Sequence, residues 1–154
     1  MGAEAEFTAD EIDRSWRGEA WSGPALQENL AGVDEKSARW APGAGVHSIF
    51  ELLLHVTCWE RVARERVLGR ANTPSDAENF PTPARSWDDA LRMAQTGHAA
   101  LVEAVRALSD DGIGKTAPGC SYTLRFMLHG VAQHNLYHAG QIAVLKKLFS
   151  AHAR

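Results

Sequence analysis

Two histidines near the end of the chain have the type and spacing best suited to chemistry. His134 and His138 lie four positions apart in the stretch Leu124 to Phe149, where apolar residues recur every three or four positions. That periodicity predicts a helix, on which residues four apart lie one above the other and can face a single point. An imidazole buried without a partner costs about 1–3 kcal/mol, so the pair needs a hydrogen-bond network or a cation.

A third histidine lies on the apolar face of a predicted second helix. Ser48 followed by Glu51 has the form of a capping box, which starts this helix; it should run to about residue 69. His55 shares a face with the apolar residues of the helix. Where this helix packs against the last one, His55, His134 and His138 supply three neutral nitrogen ligands from two helices. We therefore predict a metal site formed by these three histidines.

The donor set indicates the metal and its chemistry. Three imidazoles suit zinc, nickel or ferrous iron, whereas magnesium and calcium prefer oxygen ligands. Coordination positions left open to water are typical of catalytic sites. Such a cation acidifies bound water toward a pKa of about 7 or stabilises a thiolate, so either hydrolysis or thiol transfer is expected. Asn135 stands where the H-E-x-x-H motif has its glutamate, which excludes a zincin peptidase.

Several polar residues near the three histidines have open roles. Gln133 and Gln141 can orient a ligand or a water from outside the metal's coordination sphere. Tyr137 either donates a proton near the site or packs against another helix. Cys58 either approaches the metal or is a small buried thiol. Three further histidines are predicted to lie outside the site: His47, His129 and His152.

Four stretches with helical periodicity, and none with the alternation of a half-buried strand, predict an all-α protein. The expected fold is an antiparallel four-helix bundle, formed by a single domain over residues 1–154 with long connecting loops. Its first helix is predicted over about residues 9–31. A capping box at Thr8 and Glu11 opens this helix, and Pro24 either kinks it or restarts it with Ser22 as a new cap.

The remaining helices are predicted from their caps. Ser86 caps the third helix and Thr123 caps the last one, while Asp34 starts one helical turn within the first long loop. The Pro-rich loop 71–85 is predicted to border a pocket. His98 falls near the apolar stripe of the third helix, and its exposure is left open.

Charged residues of the second helix are predicted to form its solvated outer face. They are Glu60, Arg61, Arg64, Glu65 and Arg66. Two pairs of opposite charge are four residues apart, Glu60 with Arg64 and Arg61 with Glu65, and such pairs stabilise exposed helices. This face is therefore expected to be structural rather than a nucleic-acid patch.

Composition and charge limit the partners. The 154 residues are 45% hydrophobic and 23% charged, as in an ordinary globular protein, and the formal net charge is −3. Without a basic field, nucleic acid is not an expected partner. An acidic N-terminus and the absence of an 18-residue apolar run predict a cytoplasmic protein with no membrane span. Cys58 and Cys120 are expected to be free thiols.

The histidine motifs together resemble a known family. His55 lies in LLLH-V-x-x-W-E, and His134 and His138 lie in HGVAQHNLYHAGQI. This combination resembles the DinB-like (YfiT-type) superfamily over nearly the whole chain, including the SIFELLLH segment. The resemblance implies a four-helix bundle, often a homodimer, whose divalent metal is bound by one histidine of the second helix and two of the fourth. Those positions match all three histidines.

The resemblance implies several reactions. Some relatives are thiol transferases that use bacillithiol or mycothiol, some are thiol-dependent isomerases, and many are regarded as metal-dependent hydrolases. A shared fold does not select among them. We expect a divalent-metal-dependent enzyme that hydrolyses a small molecule or conjugates it to a low-molecular-weight thiol. The alternatives are a non-catalytic metal or small-ligand binding module acting as a dimer, and a histidine cluster satisfied by hydrogen bonds alone.

Overall fold

The computed structural model describes residues 2–153, and every regular element in that range is an α-helix. The helices are α1 (Ala3–Arg17), α2 (Leu26–Leu30), α3 (Glu35–Arg39), α4 (Ile49–Val67), α5 (Asp76–Asn79), α6 (Trp87–Arg106), α7 (Asp110–Ile113) and α8 (Leu124–His152). Within residues 2–153 there is no strand, and a single isolated bridge joins Thr116 to Thr123. The prediction of an all-α protein is confirmed.

Four long helices, α1, α4, α6 and α8, form the body of the fold. Helix α4 packs against both α6 and α8, and α1 also packs against both. Two apolar clusters fill the space between them. One includes Phe50 and Leu53, and the other includes Leu101 and Leu128. The four short helices lie in the connections, which the sequence predicts as long loops.

Side-chain caps set the start of three long helices as predicted. The hydroxyl of Ser48 accepts the backbone N–H of Glu51 at 3.2 Å, at the start of α4. Ser86 and Thr123 cap α6 and α8 in the same way, each at 3.2 Å. Asp34 caps the predicted helical turn, α3. Local capping chemistry therefore decides these boundaries.

The predicted start of the first helix is wrong. Helix α1 begins at Ala3, and Thr8 is fully buried in its interior instead of capping it. The carboxylate of Asp110 accepts the backbone N–H of Glu4 at 3.0 Å, so a side chain from α7 caps this end. A cap supplied by a residue distant in sequence leaves no local signal.

The first helix is not kinked at Pro24, because α1 ends at Arg17; a helix restarts after Pro24, which was the predicted alternative, but its N-cap is Ala25 rather than Ser22. Gly18 adopts φ 149° and Glu19 adopts φ 62°, conformations that stop a helix. Helix α2 is a separate element, and Pro24 precedes its N-cap. There the carboxylate of Glu28 accepts the backbone N–H of Ala25 at 2.8 Å.

Contacts between side chains show the relative direction of the long helices. Near the start of both helices, Phe50 of α4 packs edge-to-face against Trp87 of α6, with ring centroids 5.3 Å apart. Further along both, Glu60 of α4 makes a hydrogen-bond contact of 3.0 Å with His98 of α6. Later residues of α4 thus contact later residues of α6, so these two helices run in the same direction. The segment 68–86 is long enough to return along the helix before α6 begins.

The other pairs follow from similar contacts. His55 of α4 contacts His134 of α8. Arg66 lies further along α4 than His55, but it contacts Met127, which lies before His134 in α8, so α4 and α8 run in opposite directions. Helix α1 runs parallel to α8 and opposite to α6 by these contacts: Glu4–Arg125, Ser15–Asn135, Glu6–Arg106 and Asp13–His98. The predicted antiparallel packing is therefore wrong for α4 with α6 and for α1 with α8.

The outer face predicted for α4 is only partly exposed. Arg61 pairs with Glu65 at 3.4 Å, as predicted. Glu60 is 2% exposed and contacts His98 rather than Arg64, and Arg66 is 6% exposed. The physical reason is that α4 lies against both α6 and α8, which cover its flanks.

No helix within residues 2–153 has the length and apolar character needed to cross a lipid bilayer.

Candidate metal centre

The three histidines predicted to share a site converge through one ring nitrogen each. His55 projects from the middle of α4, and His134 and His138 project from successive turns of α8. The Nε2 atom of His134 lies 3.0 Å from Nε2 of His55 and 3.0 Å from Nε2 of His138. The three potential ligand atoms lie within 4.8 Å of one another, so the group is positioned to hold a metal ion.

In two of these histidines, the other ring nitrogen, Nδ1, hydrogen-bonds to a carbonyl oxygen. His55 Nδ1 lies 2.9 Å from the backbone oxygen of Asn79, and His138 Nδ1 lies 2.6 Å from Oε1 of Gln141. Because a carbonyl oxygen only accepts, each Nδ1 carries the hydrogen and donates it. Nε2 of both rings is then left with a lone pair aimed at the shared point.

This arrangement cannot satisfy itself by hydrogen bonds. With lone pairs on His55 and His138, the Nε2 atom of His134 can donate to only one of them at a time. A cation satisfies all three lone pairs together. Zinc–nitrogen bonds of about 2.0–2.1 Å would place tetrahedral ligand atoms roughly 3.3 Å apart, close to the 3.0 Å that separates His134 Nε2 from each of the other two Nε2 atoms. The donor set therefore fits a divalent metal.

Burial keeps these imidazoles neutral. It lowers the pKa of His134 from 6.5 to about 3, and the neighbouring His138 and His55 add to the effect. Burial is also the main reason why the pKa values of His55 and His138 lie below 6.5. A metal ligand must be deprotonated, and at neutral pH these three rings already are.

The loop before α6 positions His55. Helix α5 brings Phe80 over the His55 ring, with centroids 4.2 Å apart and planes at 7°. His47 stacks on the other face of Phe80 at 4.0 Å. Asn79, besides accepting from His55, accepts the indole N–H of Trp59 at 2.7 Å. Sequence reasoning missed Asn79 and Phe80, although it predicted that the Pro-rich loop borders a pocket.

A cavity of about 460 Å³ opens beside the histidines, between α4 and α8. His55 and His134 form one end, and Arg66 and Tyr122 form the other. Its remaining walls are mainly apolar or aromatic: Trp59, Val62, Ala63, Phe126, Met127, Gly130 and Val131. No Asp or Glu lines this cavity in the part of the chain that the structure describes. A larger groove of about 590 Å³ includes none of the three histidines in its walls.

The structure shows where the polar residues lie whose roles the sequence left undecided. Gln141 orients His138, which is one of the roles expected of it, whereas Gln133 borders a different cavity, against α1. Tyr137 is exposed, and its ring lies 5.0 Å from that of His138. Cys58 is buried, and burial raises the pKa of its thiol. It is not among the converging ligands.

None of the three histidines predicted to lie outside the site is among the converging ring nitrogens. His129 Nδ1 contacts the carboxylate of Glu11 at 2.6 Å, on the α1 side of α8. His152 is exposed beside Trp40. His47 is exposed too, yet it contributes to the site by stacking on Phe80.

Behind the site, a buried polar layer joins all four long helices. His98 Nδ1 contacts Glu60 Oε1 at 3.0 Å, and His98 Nε2 contacts Asp13 at 3.2 Å. Asn135 donates to Glu60 at 2.9 Å and to Ser15 at 3.1 Å. This layer separates the two apolar clusters. It was missed because Glu60 has the spacing of an exposed helix pair.

Comparison with protein families agrees with the resemblance seen in the sequence motifs. The model of the DinB superfamily matches residues 20–142, a range that includes His55, His134 and His138. No curated protein matches the chain. Because the family model covers well over half of the sequence, the chain belongs to the DinB superfamily.

Proposed function

We propose that this protein is a divalent-metal-dependent enzyme that acts on a small molecule, with His55, His134 and His138 as the metal ligands. The observation that carries the proposal is the convergence of three neutral Nε2 atoms at one end of a cavity. The cavity leaves room for a substrate beside the metal position, as a catalytic site requires. Zinc or nickel is the expected metal, and ferrous iron has a similar preference for imidazole.

We also propose that α1, α4, α6 and α8 form a four-helix bundle in which α1 and α8 run one way and α4 and α6 run the other. The support is the set of contacts that joins each helix to two others. In such a bundle, functional side chains project inward from facing helices. His55 on α4 and the two histidines on α8 fit this description.

Among the reactions, the cavity favours transfer to a low-molecular-weight thiol. A bound divalent cation supplies positive charge that stabilises an anionic nucleophile. Such a cation would lower the pKa of water to about 7, but hydrolases of the H-E-x-x-H type also use a glutamate as general base, and the described lining of the cavity has no carboxylate to serve as one. The same cation would deprotonate a coordinating thiol outright, so thiol transfer needs no such base. Hydrolysis is the second candidate reaction.

Metal analysis tests the ligand assignment. Protein purified without a histidine tag should contain close to one zinc, nickel or iron ion per chain, and His55→Ala and His134→Ala should remove it. His129→Ala is the matched control, because His129 pairs with Glu11 away from the site. Unchanged metal in His134→Ala would show that the assignment is wrong. So would a wild-type protein that takes up none of these ions.

A reaction test separates the two chemistries. Metal-loaded protein is mixed with cysteine and 1-chloro-2,4-dinitrobenzene, and thioether formation is followed by absorbance. In parallel, release of p-nitrophenol from p-nitrophenyl acetate reports hydrolysis. Thiol transfer predicts metal-dependent thioether formation that His134→Ala abolishes. Metal-dependent ester cleavage without thioether formation would favour the hydrolase instead.

The rival function is a non-catalytic binding module. It predicts a fourth protein ligand that closes the metal position, whereas the group found within residues 2–153 has three histidines and a cavity beside them. The cavity therefore favours an enzyme. A homodimer, a cytoplasmic location and a thiol cosubstrate stay predictions.

A further inference from the structure

Arg66 is a buried positive charge with neutral hydrogen-bond partners. Its side chain donates to the hydroxyl of Tyr122 at 2.8 Å and to the backbone oxygen of Asn72 at 2.7 Å, and it touches the sulfur of Met127 at 3.8 Å. Its Nε–H is buried without a partner. Among residues 2–153, no carboxylate oxygen lies within 4.0 Å of its nitrogens. A buried charge without an opposite charge is costly, so an anionic partner is missing.

The position of Arg66 shows where that partner would come from. Arg66 lines the same cavity as His55 and His134, at its opposite end. It follows His55 on α4 by about three turns, or about 16 Å along the helix axis, and therefore lies on the same face. The walls between the two ends are apolar. The cavity thus offers one cationic end, an apolar middle and an end lined by metal-binding histidines.

We propose that this cavity binds an elongated small molecule that carries a carboxylate, with the carboxylate against Arg66 and Tyr122 and the reactive end toward His55 and His134. One guanidinium beside one phenol hydroxyl matches a planar carboxylate, which accepts two parallel N–H bonds from arginine. The inference deepens the proposed function, on which it rests, by naming the substrate class. The carboxylate can belong either to a thiol cosubstrate or to the second substrate.

The test begins with metal-free protein, so that it does not depend on the metal chemistry. Octanoate and octan-1-ol have the same chain and differ in the anionic group. Their affinities are measured by isothermal titration calorimetry near neutral pH, where His134 is neutral. Octanoate should bind roughly ten- to a hundredfold more tightly, the range expected of a charged hydrogen bond in a buried site. Equal affinities would overturn the proposal.

Variants identify the residue responsible. Arg66→Met should remove the preference for octanoate while leaving octan-1-ol binding nearly unchanged. Its melting temperature should be unchanged or higher, because the substitution removes a buried charge. Arg64→Met is the matched control on the same helix, since Arg64 does not line the cavity, and it should keep the preference. An octanoate preference retained in Arg66→Met would overturn the proposal.

Zinc-loaded protein distinguishes the two sources of the carboxylate. If the thiol carries it, 8-mercaptooctanoate should bind at least tenfold more tightly than both octanoate and octane-1-thiol, because it occupies both ends of the cavity at once. If the second substrate carries it, octanoate and 2-mercaptoethanol should bind together without competing. Failure to load zinc would contradict the metal proposal, and the result with metal-free protein would still decide the role of Arg66.

Discussion

At the scale of single residues, the sequence predicts the proposed ligands better than the residues that support them. His55, His134 and His138 stand on regular helices, so apolar periodicity alone is enough to place them on inward faces. Asn79 and Phe80 stand in a loop whose path depends on contacts with α4. Loop geometry of this kind has no periodic signal, and the two residues were therefore missed.

Gln141 offers a test of how much these supports matter. Replacing Gln141 by Leu removes the oxygen that accepts from His138 Nδ1, so the ring loses its fixed orientation. Metal affinity should fall about ten- to a hundredfold, as is usual when a partner of a ligand histidine is lost. Competition with a chromogenic chelator measures this. Gln133→Leu is the matched control on the same helix, and an equal loss in both variants would contradict the role of Gln141.

The low pKa of His134 predicts a pH dependence of stability in metal-free protein. The folded pKa is about 3 and the ordinary value is 6.5. Between these values the unfolded chain binds more protons, so the free energy of unfolding falls as the pH falls through that window. Urea unfolding at about pH 7.5 and about pH 5 should show this loss.

Two variants show whether His134 causes this pH dependence of the free energy of unfolding. His134→Gln should reduce the loss of stability at low pH, because the titrating group is gone. His152→Gln is the control, since His152 is exposed near the end of α8, and it should leave the loss unchanged. The same pH dependence in wild type and His134→Gln would show that another group is responsible.

At the scale of elements, the buried polar layer fixes how the long helices meet. Glu60 from α4, His98 from α6 and Asn135 from α8 meet at one level, with Asp13 and Ser15 from α1. A one-turn shift of any helix would leave buried polar atoms without partners. Periodicity predicts which helices exist, but it does not predict their register, which this layer sets.

Glu60→Ala tests the layer. Removing the carboxylate leaves buried donors of His98 and Asn135 without an acceptor. The free energy of unfolding should fall by about 1–3 kcal/mol, the cost of leaving a buried donor without an acceptor. Glu103→Ala, at an exposed position of α6, should change it by less than about 0.5 kcal/mol. Urea unfolding measures both, and equal small effects would mean that the layer does not stabilise the fold.

At the scale of the whole molecule, helix content was predictable and helix direction was not. The caps Ser48, Ser86 and Thr123 mark three long helices locally. The direction of α6 depends on how the segment 68–86 crosses the molecule, and a loop of that length permits either direction. Contacts distant in sequence decide it, and the same is true of the Asp110 cap on α1.

The proposed metal position joins α4 to α8, so a bound metal should stabilise the whole fold. The two helices contribute His55 on one side and His134 and His138 on the other. A free metal concentration 100 times the dissociation constant adds about 2.7 kcal/mol to the free energy of unfolding. For a domain of this size that corresponds to a rise of roughly 5–10 °C in melting temperature. Calorimetry with zinc and with a chelator measures it. The double variant His55→Ala/His134→Ala should show no such rise, and a similar rise there would place the stabilising metal elsewhere.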